Sequence, residues 1–349
     1  MAAAMLDMIR LRSTGDNAFE SKALPERMGN TANIGYGGCV LSMIVSAAFQ
    51  TVETPSRGRM ALYSALGHFV GPALTDRVVL LRVTSLRDTR TFATRQVLAV
   101  QKQDDGSERA CTSAQLDFIA SPTDDPAVHS FLRYTVPPPH TTNPAGLPLF
   151  LQQIRDRVSH GDLHPNVEKV YTATFNVFDK LFDFKVPPDT PLGENTFGID
   201  KTRTTSQDHL PLTSKTTLDH IRSKHGLISS SHADRPTLPI SSACLQFATL
   251  AFAVDAGIGF VPLSLSHHFL EDVAVCSSLD FALRFHTDLL DMSEWHLREL
   301  KTVVGDYGRT FNEVRVWNEA GMLVASMNQQ CILKPHRGPD KSVTGAAKL

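Results

Sequence analysis

Asp255 closes an almost wholly apolar run, Cys244 to Val254, and is followed by Ala256-Gly257. A carboxylate against such a run is costly to bury unless donors satisfy it. It is therefore either a general base in a dry site or a residue tied to the turn that follows. His267-His268 with Glu271 offers metal-ligand side chains, yet lacks the H-E-x-x-H spacing that sets two imidazoles on one helix face. Surface polarity beside Pro262 is the simpler reading, and no metal is expected. Gly35-Tyr36-Gly37-Gly38 has neither the Lys-Ser/Thr of a phosphate loop nor the spacing of a dinucleotide fingerprint, so it reads as glycine for close helix-to-sheet packing. The five cysteines, Cys39, Cys111, Cys244, Cys276 and Cys331, never form a C-x-x-C pair. That argues against a disulfide framework and a zinc site, and for a reducing compartment. The chain has no G-x-S-x-G elbow to activate a serine.

These residues need elements to hold them. The 349 residues exceed an ordinary domain, and 42% apolar with 20% charged residues is core-forming composition. One compact block is expected from about Phe19 to Ala120 and another from about Ile240 to Pro335. In the first, an apolar helix over Cys39 to Phe49 precedes strands near Met60–Val70, Val78–Leu86, Thr91–Gln101 and Arg109–Ile119. In the second, a helix over Cys244 to Val254 precedes strands near Val275–Phe285, Glu294–Val304, Arg309–Trp317 and Met322–Leu333. Arg90-Thr91-Phe92 with Val97 matches Arg309-Thr310-Phe311 with Val316 at one constant offset, so the chain reads as one α+β unit occurring twice. A helix apolar on nearly all sides must be surrounded, and a curved antiparallel sheet wrapped around it does this. The Pro-rich stretch Ser121 to Pro148 reads as connector. Leu149 to Phe184 can hold a helix and a strand, and Pro187 to Pro239, polar and broken by proline, as loop or partly disordered insertion. The expected division is thus 1–120, a connector and insertion over 121–239, 240–335, and a flexible tail over 336–349.

Several runs resemble the type II acyl-CoA thioesterases, whose chains carry two hotdog units in tandem. In the first half these are Tyr36-Gly37-Gly38-Cys39-Val40, His68-Phe69-Val70-Gly71-Pro72, Ser85-Leu86-Arg87-Asp88 and Phe92-Ala93-Thr94-Arg95. In the second they are Phe252-Ala253-Val254-Asp255, Ser278-Leu279-Asp280 leading to Phe285-His286, and Leu323-Val324-Ala325-Ser326 leading to Gln329. The resemblance implies a double hotdog that hydrolyses an acyl-CoA to a free acid and CoA. Catalysis would fall to Asp255, Ser278 and Gln329, which hold the attacking water. Ser278 stands where the family has threonine and keeps the hydroxyl without the methyl. Gln330 stands where many relatives carry an acid. Substrate contacts are expected at Gly38, His286 and Arg309, His286 being equally readable as a core residue. Arg309 and Arg298 are either CoA phosphate ligands or a solvated strand face. The helix Gly38 to Val52 contains no Asp or Glu, which assigns catalysis to the C-terminal half and makes the N-terminal half scaffold and pocket wall.

A thiol of pKa ~8.5 leaves as thiolate, so no second acid is required and no cofactor is expected. The same fold also admits a lyase or dehydratase of a dedicated biosynthetic pathway, or a non-catalytic acyl-CoA binder; the retained Asp255, Ser278 and Gln329 speak against the binder. A formal charge of −2, from 34 basic and 36 acidic residues, supplies no global field for nucleic acid. No run approaches a membrane span. The closing Ala347-Lys348-Leu349 differs from the Ser-Lys-Leu address by one small residue, so the expectation is a peroxisomal protein that meets the import receptor. Homo-oligomers through strand edges are a further expectation of the resemblance.

Overall fold

The structure, a computed structural model, describes residues 4–29, 32–53, 59–121, 131–224 and 240–336. The first half contains α1 (Ala4–Ile9), β1 (Leu11–Gly15), β2 (Ala18–Ser21), α2 (Gly37–Val52), β3 (Met60–Phe69), β4 (Leu80–Asp88), β5 (Phe92–Lys102) and β6 (Glu108–Ala120). The second contains α3 (Phe150–Ser159), α4 (Asn166–Leu181), β7 (Phe182–Lys185), β8 (Thr216–Ser223), α5 (Ser242–Val254), β9 (Val273–Ser278), β10 (Asp280–Phe285), β11 (His296–Asp306), β12 (Arg309–Trp317) and β13 (Leu323–Pro335).

Strand order follows from the duplication. The path β1-β2-β4-β5-β6-β3 is continued by β10-β13-β12-β11-β8-β7, all antiparallel, so each half repeats the other's order and they join where β3 meets β10. Phe92 to Val97 and Phe311 to Val316 lie on β5 and β12, the equivalent central strands of the two halves. The sheet wraps two helices that are apolar on every side. From Gly38 to Phe49, and from Cys244 to Val254, every residue of α2 and α5 is buried. Burying a Leu, Ile, Val, Met or Phe side chain contributes about 1.5–3 kcal/mol, so these helices supply much of the driving force for closing the sheet. They run antiparallel, since Tyr36 before α2 meets Phe252 near the end of α5, while Glu53 after α2 meets Ser241 before α5. The result is the expected α+β tandem hotdog.

Three departures have physical causes. The stretch 121–239 is not mere connector. β8 pairs with β11 from Thr216↔Lys301 to Ile221↔His296, and β7 pairs outside it, so the second sheet begins well before Ile240. Its polar sequence conceals the strand because Asp219 and His220 are buried with partners, Arg298 and the Thr142 carbonyl. Leu149 to Phe184 holds two helices before its strand. α4 buries Tyr171, Phe175 and Phe178 at helical spacing, and these join Phe150, Phe184 and Phe197 in an aromatic cluster. The single strand expected over Val275–Phe285 breaks at Leu279 into β9 and β10, both paired with β13. The Ala347-Lys348-Leu349 tripeptide lies outside the described residues. Among the described residues, no helix is long and apolar enough to cross a membrane.

Candidate active site

Asp255 occupies the C-cap of α5 with helical backbone angles and only 6% exposure. Opposite it stands the start of α2, where helix N–H groups have no intrahelical acceptor. Glycine there is a steric requirement. A Cβ on Gly37 would stand 2.9 Å from Asp255 Oδ2 and from the Phe69 ring, and one on Gly38 would stand 2.8 Å from the Phe252 carbonyl. Burial pushes the Asp255 carboxyl up to about 6, while donation from Gln329, the Gly38 N–H and Tyr36 pulls the other way. The single Tyr36 hydroxyl proton is shared between Asp255 and the Phe252 carbonyl, the latter at 2.8 Å, with the Tyr36 ring edge-on to Phe252. Near neutral pH this is an ionised carboxylate of unusually high basicity, a property suited to taking a proton from water.

Gln329, fully buried on β13, donates through Nε2 to Asp255 Oδ1. Its Oε1 accepts from Ser278 Oγ at 2.9 Å. The three expected residues thus form one chain, carboxylate to amide to hydroxyl, although they come from a helix end and two strands. Register explains the meeting. Ser278, the last residue of β9, pairs with Cys331, two residues beyond Gln329 on β13, and the break at Leu279 ends β9 there. A polar layer continues onto β12, where Asn312 Nδ2 donates to Thr310 Oγ1 and Cys331 Sγ, and Asn312 Oδ1 is buried without a partner among the described residues. Asn312 and Tyr36 escaped the sequence reading. Their signal is positional, since Asn312 pairs with Gln329 across the ladder and Tyr36 precedes α2.

The helix end that carries Asp255 is fixed by Arg298. Its Nη1 donates to the carbonyls of Ala253 and Ala256, at 2.5 and 3.0 Å, and its Nε and Nη2 grip Asp219 at 2.7 and 2.9 Å. A cation at a helix C-terminus complements the dipole. Arg298 is only 2% exposed, which corrects both readings offered for it: it is neither a phosphate ligand nor part of a solvated face.

The other expected residues divide. Gly38 lies at Asp255. Arg309 is exposed at the start of β12, paired with Ile332, one step along the ladder from the Thr310–Cys331–Ser278 row. His286 is not part of the cluster: it follows β10 at the end remote from Ser278 and bonds Ser326 Oγ at 3.0 Å. His267 and His268 turn to different partners, Asp208 and the Ser266 carbonyl. Burial pushes the thiols of Cys39, Cys276 and Cys331 up to about 12, which removes them as nucleophiles near neutral pH. A cavity of about 1000 Å³ does not include the Asp255 cluster. It lies at the opposite ends of the central helices, lined by Glu53, Ser241 and His296 among others. A cavity of about 450 Å³ reaches Arg309 and Thr310.

Comparison with known proteins bears on the family. Residues 24–119 match the family described as the acyl-CoA thioesterase N-terminal domain, and residues 213–333 match the acyl-CoA thioesterase C-terminal domain. The second match begins just before β8. No curated protein matches the chain. Among solved structures, an acyl-CoA thioesterase II, TesB2, from Mycobacterium marinum is similar over 97% of this chain and 99% of its own, at 18% identity and a TM-score of 0.63. A tesB protein from Mycobacterium avium subspecies paratuberculosis is similar over 95% and 98%, at 16% identity and a TM-score of 0.62. A protein of unknown function with a hot dog fold from Alicyclobacillus acidocaldarius gives 97% and 100%, at 16% identity and a TM-score of 0.62. With both of its halves matched in order, the chain belongs to the acyl-CoA thioesterase family and is a thioester hydrolase.

Proposed function

We propose that Asp255, Gln329 and Ser278 hold and activate the water that hydrolyses the acyl-CoA thioester. The carrying observation is the continuous hydrogen-bonded chain from a buried, high-pKa carboxylate facing the start of α2 to an amide and a hydroxyl on two strands. Asp255 takes a proton from water as its oxygen bonds the acyl carbon, and Gln329 and Ser278 fix that water in line. Negative charge developing on the carbonyl oxygen is met by the start of α2, where the Gly37 N–H has no partner among the described residues. The C–S bond then breaks and CoA leaves as thiolate. Ser278 supports the water and forms no acyl-enzyme, because its hydroxyl is committed to Gln329 and no base adjoins it. Acid quenching during a single turnover tests this: the free acid should form with no acyl-enzyme trapped. An acyl-Ser278 adduct would refute it.

On the closing Ala347-Lys348-Leu349 we propose import into peroxisomes. A tagged protein lacking those three residues should redistribute, and an unchanged pattern would reject the assignment. The outer strands β1 and β7, each paired on one side only among the described residues, support homo-oligomers through sheet edges. A monomeric mass in solution would reject this.

A further inference from the structure

The pseudo-twofold order of the fold places a second carboxylate where Asp255 stands. α2 ends on Val52 and is capped by Glu53, as α5 ends on Val254 and is capped by Asp255. Because the helices are antiparallel, each of these carboxylates faces the start of the other helix. Asp255 meets Gly37 and Gly38. Glu53 meets Ser241, whose hydroxyl donates to Glu53 Oε1 at 2.5 Å. The 38–52 stretch holds no acid, but the next residue does, so the N-terminal half is more than a scaffold.

The surroundings of the two carboxylates differ. The ladder row of Gln329 and Asn312 corresponds, at the repeat offset, to Phe118 and Ala93, and the row of Ser278 leads to Met60, so both polar partners of Asp255 have apolar equivalents. Other groups take their place. His296, 1% exposed, donates through Nδ1 to the Glu294 carbonyl at 3.0 Å, which leaves Nε2 as the lone-pair nitrogen. Gln246, 8% exposed, accepts from the Met292 N–H at 2.7 Å and keeps its amide N–H groups free. Neither His296 Nε2 nor Gln246 Nε2 has a partner among the described residues, and both side chains line the cavity of about 1000 Å³ together with Glu53, Ser241 and the apolar Phe247 and Leu290. Ser242 and Ala243, the first residues of α5, line it too. Its remaining charged lining is three carboxylates, Asp288, Asp291 and Glu294, against one cation, Arg59, which donates to the Asp288 carbonyl, so the balance is acidic. Burial, Asp291 and Glu319 together push the Glu294 carboxyl up, as expected where like charges gather.

We infer that this cavity is a second hydrolytic site, in which Glu53 activates water against a neutral acyl ester or thioester. The acidic lining repels the phosphates of CoA, and the start of α5 meets the carbonyl oxygen. Glu53 takes a proton from water, the water oxygen bonds the acyl carbon, the C–O or C–S bond breaks, and the leaving alcohol or thiol recovers the proton from Glu53. The products are a free acid and a neutral alcohol or thiol.

The test uses butyryl-N-acetylcysteamine, a thioester without phosphates, beside butyryl-CoA, on the full-length chain. Asp255→Asn should lose hydrolysis of butyryl-CoA yet retain turnover of the neutral thioester, and that remainder should fall at least tenfold when Glu53→Gln is added. Glu53→Gln alone should hydrolyse butyryl-CoA within twofold of the parent, which also shows that it folds. Loss of both substrates with Asp255→Asn, or a remainder indifferent to Glu53→Gln, would overturn the inference. If the parent releases no thiol from butyryl-CoA, an acyl-CoA of another chain length that it does hydrolyse takes that arm, and the neutral-thioester arm still reads Glu53.

Discussion

Replacing Asp255 by Asn should make the protein more stable while removing its activity. Burial lifts this carboxyl from 3.8 to about 6. A group whose proton is held more tightly in the folded state favours folding at low pH and opposes it once both states are ionised. The rise corresponds to about 3 kcal/mol between those limits, an order-of-magnitude figure. Below pH ~4 the parent and the variant should therefore be similar, and the variant's advantage should grow through pH 4–6 and level off above. The amide limits the gain, because Asn Oδ1 still accepts from Gln329 while its Nδ2 faces the donor at Gly38; about 1–3 kcal/mol at pH 8 is expected. Urea unfolding of both proteins at pH 4.5 and pH 8 measures it. A variant less stable than the parent at pH 8, or a difference unchanged between the two pH values, would refute the reasoning that a costly buried charge is retained for chemistry.

Other consequences follow from the same geometry. Gln329→Leu keeps the side-chain volume but removes the link between Asp255 and Ser278, so kcat should fall by about 10²-fold with the fold intact, read by thiol release beside circular dichroism. The ionised form of Asp255 is the active one, so kcat/KM should fall below an apparent pKa near 6 and be flat above it; an acid limb near 4 would contradict the burial argument. Arg298→Met leaves Asp219 buried and unpaired and frees the end of α5, at a cost of about 3–5 kcal/mol in chemical unfolding. Gly37→Ala drives a methyl to within 2.9 Å of Asp255 Oδ2 and Phe69, which should destabilise by about 1–3 kcal/mol and depress kcat more than it raises KM.

How far the sequence leads depends on whether a residue's neighbours are local. The two central helices are readable because every side of each is apolar, and the β5 and β12 match because the repeat preserves Phe and Val at one offset. Asp255 stands out as a charge at the end of such a helix. β8 was invisible because Asp219 and His220 read as surface polarity, and only Arg298, 79 residues from Asp219, shows that they are inside. The distance of His286 from the cluster was equally hidden: the break at Leu279 ends β9 at Ser278, leaving His286 at the far end of β10. Glu53 stands one residue beyond the apolar helix, where a charge reads as the start of a loop, and only the antiparallel pairing of α2 with α5 makes it the counterpart of Asp255.

The central claim is that Asp255 activates water against an acyl-CoA. Thiol release from a panel of acyl-CoAs of different chain length, by the parent and by Asp255→Asn at pH 8, tests it most directly. The account predicts turnover of at least one acyl-CoA by the parent and a loss of at least 10²-fold in Asp255→Asn. Full activity without the carboxylate, or no thiol released by the parent from any chain length, would contradict it.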